Sequence, residues 1–250
     1  MSHQNFVTTA LVLLFAAATS ASAQSLTPAV KGYVSINGGY QVTTNSFGHA
    51  DSFEANAEQG RYQSDYTVKA GPSFDIAAGA IGWRHLGFGI GVSRFSRSTP
   101  LHLAGDVPHP FFFDRGREVS GDVGGLQRQE VAVHTQVRAM APVGDRLQVM
   151  AFGGYSYFQL TQDVITEVTY TDEYPYDSAS LKGATTTAKA GSKIGVNGGA
   201  DVAFFLTRRL GLGFGAQYAG ATIVLPMGSG AGTRVKVGGV QAGGGLRLRF

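Results

Sequence analysis

With 250 residues, 15% of them charged, 36 glycines, no cysteine and a formal net charge of +3, the chain excludes several classes at once. It is too apolar and too weakly charged for a disordered chain, and its glycines lack the three-residue period of collagen. Its dispersed positive charge contains no basic run, so it carries no nucleic-acid footprint. The lack of cysteine removes disulfide frameworks and thiolate metal sites.

The first element is an export signal. Residues 7–18 are apolar apart from Thr8 and Thr9, and the small-x-small triplet Ala21-Ser22-Ala23 precedes Gln24. The run is too short to span a bilayer as a helix. We expect cleavage after Ala23, so that residues 1–23 form the signal peptide and residues 24–250 a single domain. The n-region has no Lys or Arg, only the terminal amine and His3. No later segment has about twenty apolar residues in a row, so a membrane-spanning form of this chain must close its backbone hydrogen bonds in a barrel.

Period-two alternation follows, the pattern of strands with one apolar face. The first segment, residues 30–40, sets Val30, Val34, Ile36 and Tyr40 against Lys31, Ser35 and Asn37. The second, residues 66–80, sets Tyr66, Val68, Phe74 and Ile76 against Thr67, Lys69, Ser73 and Asp75. The third alternates Leu86, Phe88, Ile90 and Val92 with glycines, and the fourth sets Val131, Val133 and Val137 against Glu130, His134, Gln136 and Arg138. In the fifth, residues 147–162, both faces are apolar; the face of Val149, Tyr155 and Tyr157 is assigned outward, because it places two tyrosines at an interface. The sixth pairs Ile194, Val196, Val202 and Phe204 against Lys193, Asn197 and Asp201, and the seventh Leu210, Leu212, Phe214 and Tyr218 against glycines and Gln217. The eighth pairs Val240, Leu246, Leu248 and Phe250 against Gln241, Arg247 and Arg249.

Short connections at 82–85, 142–145 and 207–209 alternate with long ones at about 43–62, 97–125, 164–191 and 226–233. Tight periplasmic turns with long outer loops are the habit of outer-membrane barrels. The expected fold is therefore all-β: a closed, antiparallel, up-and-down transmembrane barrel of eight strands, its apolar face toward lipid.

The ending, with Leu246, Leu248 and Phe250 in alternation, resembles the C-terminal signal of outer-membrane β-barrel proteins. Together with the export signal and eight alternating segments, it makes residues 24–250 similar to the small-barrel family that includes the OmpA membrane domain, without the peptidoglycan-binding domain found in some members. The resemblance implies location in a bacterial outer membrane and two partners, outer-membrane lipid and the barrel-assembly machinery.

Within such a barrel the inward candidates are Lys31, Lys69, Asp75, Arg128, Glu130, His134, Arg138, Lys193, Asp201, Arg247 and Arg249. Charges in a narrow lumen must pair, so the expectation is a polar plug; a gated ion path is the alternative, since eight strands leave room for little beyond side chains. For catalysis, His134 would need a serine and an orienting carboxylate. Its same-face neighbours along the strand are Ala132 and Gln136, and Glu130 lies about 13 Å away, so no enzyme is expected. His85, His102 and His109 lack zinc-site spacing, and Glu167, Asp172, Glu173 and Asp177 lack calcium-loop spacing; no cofactor or metal is expected. The run Pro108-His109-Pro110-Phe111-Phe112-Phe113 and the tyrosines Tyr170, Tyr174 and Tyr176 lie in long loops. They mark either a binding surface for an extracellular ligand or part of an aromatic girdle. A structural or surface-interaction role leads, ahead of a narrow channel, a lipid-modifying enzyme and a soluble lipocalin-like barrel.

Overall fold

The computed structural model describes residues 31–250, apart from 84, 144–145 and 229–231. The cleavage positions Ala21, Ala23 and Gln24 lie outside the described residues, as does the side chain of Lys31. Ten strands form one antiparallel sheet: β1 (Lys31–Gln41), β2 (Asn45–Ala55), β3 (Glu58–Val68), β4 (Gly71–Trp83), β5 (Leu86–Pro108), β6 (Gly116–Val143), β7 (Leu147–Glu173), β8 (Ser178–Phe205), β9 (Leu210–Leu225) and β10 (Thr233–Arg249). Eight of them close a ring, β1-β4-β5-β6-β7-β8-β9-β10, which the β1–β10 ladder completes with Ile36 opposite Leu246 and Gly38 opposite Gly244.

The ring is built by alternation. At its basal end, where the short turns lie, Ile36, Tyr40, Phe74, Phe88, Ile90, Val137, Val149, Tyr155, Val196, Val202, Phe204, Leu212, Phe214, Leu246 and Leu248 are all exposed. Their strand neighbours Ser35, His134, Gln136, Arg138, Gln148, Ser156, Asn197, Asp201 and Arg247 are buried. The molecule thus puts its apolar residues outside and its polar residues inside, the inverse of a soluble barrel. On β8 the outward apolar row runs from Leu206 to Ile194 and stops at Ser192. Twelve steps at about 3.3 Å, tilted by roughly 40°, make a belt about 30 Å tall, the thickness of a bilayer core.

The long connections are themselves strands. Residues 97–125 continue β5 and β6 as a ribbon, and residues 164–191 continue β7 and β8. The first connection folds into the β2–β3 hairpin, which joins β5 through the pairs Arg61 to Tyr66 opposite Asp106 to Leu101. The expected second segment is therefore two strands, β3 ending at Val68 and β4 starting at Gly71. Tyr66 and Val68 point inward, not outward, because the break at 69–70 resets which face each parity occupies.

The distal half has an apolar core. Leu101, Leu103, Leu126, Phe158, Leu160, Val164, Ile223, Leu225, Met227 and Val235 pack with Tyr62 and Tyr66 of the hairpin, all at most 5% exposed. The core continues outward through Val107, Val119 and Ala179. Above the belt there is water on the outside, so the apolar parity turns inward and the alternation is that of an ordinary β protein. Side chains close the seam between β2 and β10: Asn45 Nδ2 donates to Gly238 O (3.1 Å), and Thr43 Oγ1 accepts the Val240 N–H (2.8 Å).

Candidate functional site

The polar interior of the basal half is a network in separate hydrogen-bonded groups. Arg247 forks its Nε (3.1 Å) and Nη2 onto the two carboxylate oxygens of Asp201 and also donates to Asn37 Oδ1, while Asn37 Nδ2 donates to Asp75 (2.8 Å). Gly213 lies beneath this guanidinium; a Cβ there would sit 2.6 Å from Arg247 Nε. Arg138 donates to Gln136 Oε1 (2.6 Å) and stacks its guanidinium over the rings of Tyr33 (4.6 Å) and Phe152 (5.2 Å). Higher up, Arg128 pairs with Glu130 (2.6 Å) and donates to Lys236 O (2.6 Å), while the other oxygen of Glu130 accepts the Gly238 N–H (2.6 Å). Three arginines and three carboxylates share this interior, so its formal charge sums to zero and each buried carboxylate has a hydrogen-bond partner.

His134 joins the network across strands. Asn197 Nδ2 donates to Ser156 Oγ (2.8 Å), and the His134 ring lies in hydrogen bonds between Ser156 Oγ at Nδ1 (2.7 Å) and Ser93 Oγ at Nε2 (2.8 Å). Serines therefore do flank His134, supplied by β5 and β7; a search along its own strand could not find them, because lateral neighbours in a sheet are remote in sequence. The imidazole has a serine where a catalytic orienter would be a carboxylate. Both serines are buried, and neither lines the small cavity of about 60 Å³ beside His134.

Three expected members do not join. Lys69 is exposed, in the break between β3 and β4. Lys193 keeps the inward register opposite buried Phe158 but is exposed, just before the β8–β9 ladder begins at Val196. Arg249 lies at the basal mouth, its guanidinium 3.9 Å from the centre of the Phe205 ring. Leu246 and Leu248 are exposed on the outer face, and Phe250, also exposed, borders the basal mouth.

At the opposite end, two loops far apart in sequence meet. The β5–β6 turn presents Phe111, Phe112 and Phe113, exposed by 68%, 57% and 74%. The β7–β8 turn presents Tyr174, 88% exposed, and Tyr176. Phe111 packs edge-on against Tyr176 (5.1 Å between centroids), which packs edge-on against Tyr174 (5.9 Å). Tyr176 holds φ = 80°, a conformation unfavourable for a bulky residue that its surroundings must impose.

Buried groups hold the two turns. His109 Nδ1 accepts the N–H groups of Phe111 (3.1 Å) and Phe112 (3.2 Å), which fixes the ring as the Nε2–H tautomer, and His109 N–H closes the turn on Arg115 O (2.9 Å). Arg117, 3% exposed, spans both ribbons: it pairs with Asp172 (2.7 Å) and donates to Pro108 O (2.9 Å), Tyr176 O (3.3 Å) and Ser178 O (3.4 Å). Arg115 pairs with Asp177 (2.8 Å). The third tip braces them, with Asn56 donating to Pro108 O and Glu58 accepting the Asp114 N–H. The aromatic loop residues thus form a tip cluster remote from the apolar belt. Arg117 and His109 are its unforeseen supports; inward parity next to a turn was their only signal.

The register defines the class: a closed, antiparallel, up-and-down eight-stranded barrel with a folded β extension at one end. Its neighbours among solved structures are small outer-membrane β-barrel proteins. The outer membrane protein OprG from Pseudomonas aeruginosa is 12% identical, covering 88% of this chain and 96% of that one at a TM-score of 0.42. Neisserial surface protein A is 12% identical, covering 88% and 97% at 0.43. The outer membrane protease OmpT from Escherichia coli is 8% identical, covering 92% and 100% at 0.44. At such identities and scores the likeness says nothing of function, and the class rests on this chain's own register. No protein-family model and no curated protein sequence matches the chain.

Proposed function

We propose that the protein is an exported outer-membrane barrel that acts as a surface-interaction protein through its distal aromatic tip. The observation that carries this reading is the meeting of the β5–β6 and β7–β8 turns, which joins Phe111 to Tyr176 on an exposed apex. Exposed contiguous aromatics on a rigid frame suit a macromolecular partner. Outer-membrane lipid covers the apolar belt, residues 1–23 are removed on export, and Leu246, Leu248 and Phe250 present the end signal to the barrel-assembly machinery.

The lumen is a structural plug. A conducting path would have to cross the distal core, where Leu103 and Leu225 are fully buried among other apolar side chains, and ions do not cross a dry apolar layer. No catalytic activity is proposed: the Ser93–His134–Ser156 chain has no carboxylate on its imidazole and no open pocket at its serines.

The test is adhesion. Cells expressing the wild type or the Phe111→Ser/Phe112→Ser/Phe113→Ser variant are applied to immobilised matrix proteins, sulfated polysaccharide and lipid-coated surfaces. The wild type is retained on at least one surface, and the variant loses that retention by roughly tenfold or more, the loss of a hot-spot contact. Equal retention of both on every surface contradicts the reading.

A further inference from the structure

The basal end holds a second feature that neither the plug nor the tip uses. A mouth of about 500 Å³ opens between the short turns, lined among others by Tyr33, His85, Gln148, Arg208, Arg209 and Arg249. No Asp or Glu among the described residues lines it. Arg247, two residues before Arg249 on β10, has the Asp201 carboxylate; Arg208, Arg209 and Arg249 have no carboxylate partner among the described residues.

The three arginines are held together by backbone. Thr207 Oγ1 accepts the N–H groups of Arg209 (3.3 Å) and Leu210 (2.9 Å), and Thr207 N–H donates to Leu210 O (3.0 Å), which locks the β8–β9 turn. β10 is tied to that turn twice: Arg249 N–H donates to Arg209 O (2.9 Å), and Arg249 Nε donates to Arg208 O (2.9 Å). The Phe205 ring lies under the Arg249 guanidinium, so its remaining N–H donors are pre-aimed. Three like charges gathered at one concave mouth repel one another, and an anion that bridges them removes that cost. Forked guanidinium donors match the oxygens of a phosphate. Beside Tyr33, His85 and Gln148 the wall carries an apolar part, Ile81, Met140, Pro142 and Phe250, which suits a ligand with a phosphate beside hydrocarbon.

We propose that this mouth is a phosphate-binding site built from Arg208, Arg209 and Arg249, which takes a phospholipid headgroup or a free phosphate. The proposal does not depend on what the distal tip binds.

The purified barrel in neutral maltoside micelles is titrated at low ionic strength with dihexanoyl phosphatidic acid, with dihexanoyl phosphatidylcholine and with inorganic phosphate. Binding is read by calorimetry and by the emission of Trp83, the sole tryptophan. The phosphatidic acid binds at least tenfold more tightly than the choline lipid, and Arg208→Gln/Arg209→Gln and Arg249→Gln each weaken it by roughly tenfold or more. Arg146→Gln, at the same end but outside the lining, does not. All variants are first checked for the heat-dependent mobility shift of a closed barrel. Inorganic phosphate binding as tightly as the lipid assigns the site to a free phosphate, and weaker phosphate binding assigns it to a headgroup. Equal affinity for both lipids with no response to inorganic phosphate, or full binding by the folded arginine variants, overturns the proposal.

Discussion

Arg247 on the last ring strand lays its guanidinium fork across the carboxylate of Asp201, 46 residues earlier, and both side chains are less than a tenth exposed. Through Asn37 the pair reaches Asp75 on β4, so one ion pair ties together β8, β10, β1 and β4, the strands around the ring closure. Removing one partner leaves the other charged and buried. Asp201→Ala therefore costs about 3–5 kcal/mol, whereas Asp201→Leu/Arg247→Leu costs less than the single change. Urea unfolding of the micelle-bound barrel, followed by the heat-dependent mobility shift, measures both. A double variant weaker than the single would deny the pair this role.

The distal core makes a different demand. Leu103 is fully buried among Leu101, Leu160 and Ile223, whereas Leu212 faces outward on the belt at 52% exposure. Leu103→Ala destabilises the distal half by about 2–5 kcal/mol, and Leu212→Ala changes stability by about 0.5 kcal/mol or less. Limited proteolysis distinguishes them, with new cuts in residues 98–127 of Leu103→Ala and none in Leu212→Ala.

Arg117 links the frame to the tip. Its loss leaves Asp172 and the carbonyls of Tyr176 and Ser178 without this donor, and leaves Pro108 O only that of Asn56. Arg117→Ala uncouples Phe111 from Tyr176 while the basal barrel stays closed. The expected result is an intact heat shift together with adhesion reduced as far as in the triple phenylalanine variant. Adhesion at the wild-type level would mean that the two turns act separately.

Alkali should loosen the hairpin. Burial, with the Asp51 carboxylate nearby, pushes the Tyr62 phenol up to about 12, and burial also raises Tyr66, although its oxygen accepts the Ile165 N–H. A raised phenol pKa means that the folded state holds its proton where the unfolded state has lost it. The stabilisation is whole below about pH 10, the unfolded value, and is lost as the pH rises toward 12. Tyrosinate absorbance should show Tyr62 and Tyr66 among the late-titrating phenols, and Tyr62→Phe/Tyr66→Phe should shrink that late phase.

The basal ring was legible because a bilayer enforces strict parity. Phe214, Leu246 and Asp201 could be placed by counting in twos, and the fifth segment by its two tyrosines. The ends of the strands and the distal half were not legible in the same way. Above the belt the solvent outside becomes water, so the apolar parity reverses from outward to inward; Tyr66 and Val68 lie past that reversal and read as a continuation of β4. The same change hid the core, since Leu101, Leu103 and Val107 alternate cleanly but lie in stretches read as loop. Cross-strand chemistry was also hidden: Ser93 and Ser156 flank His134 only because register brings β5 and β7 beside β6. Lys193 has inward parity but stays exposed before the β8–β9 ladder begins at Val196, and periodicity does not report where a ladder begins.

The proposed orientation across the membrane puts the aromatic tip outside and the short turns within. The chain has no cysteine, so single cysteines report position without background. Phe112→Cys and Arg146→Cys, at opposite ends of the barrel, are treated on intact cells with a membrane-impermeant maleimide. Phe112→Cys is expected to be labelled on intact cells, and Arg146→Cys only after the outer membrane is permeabilised. Labelling of Arg146→Cys on intact cells, or recovery of both proteins in the soluble fraction, would contradict it.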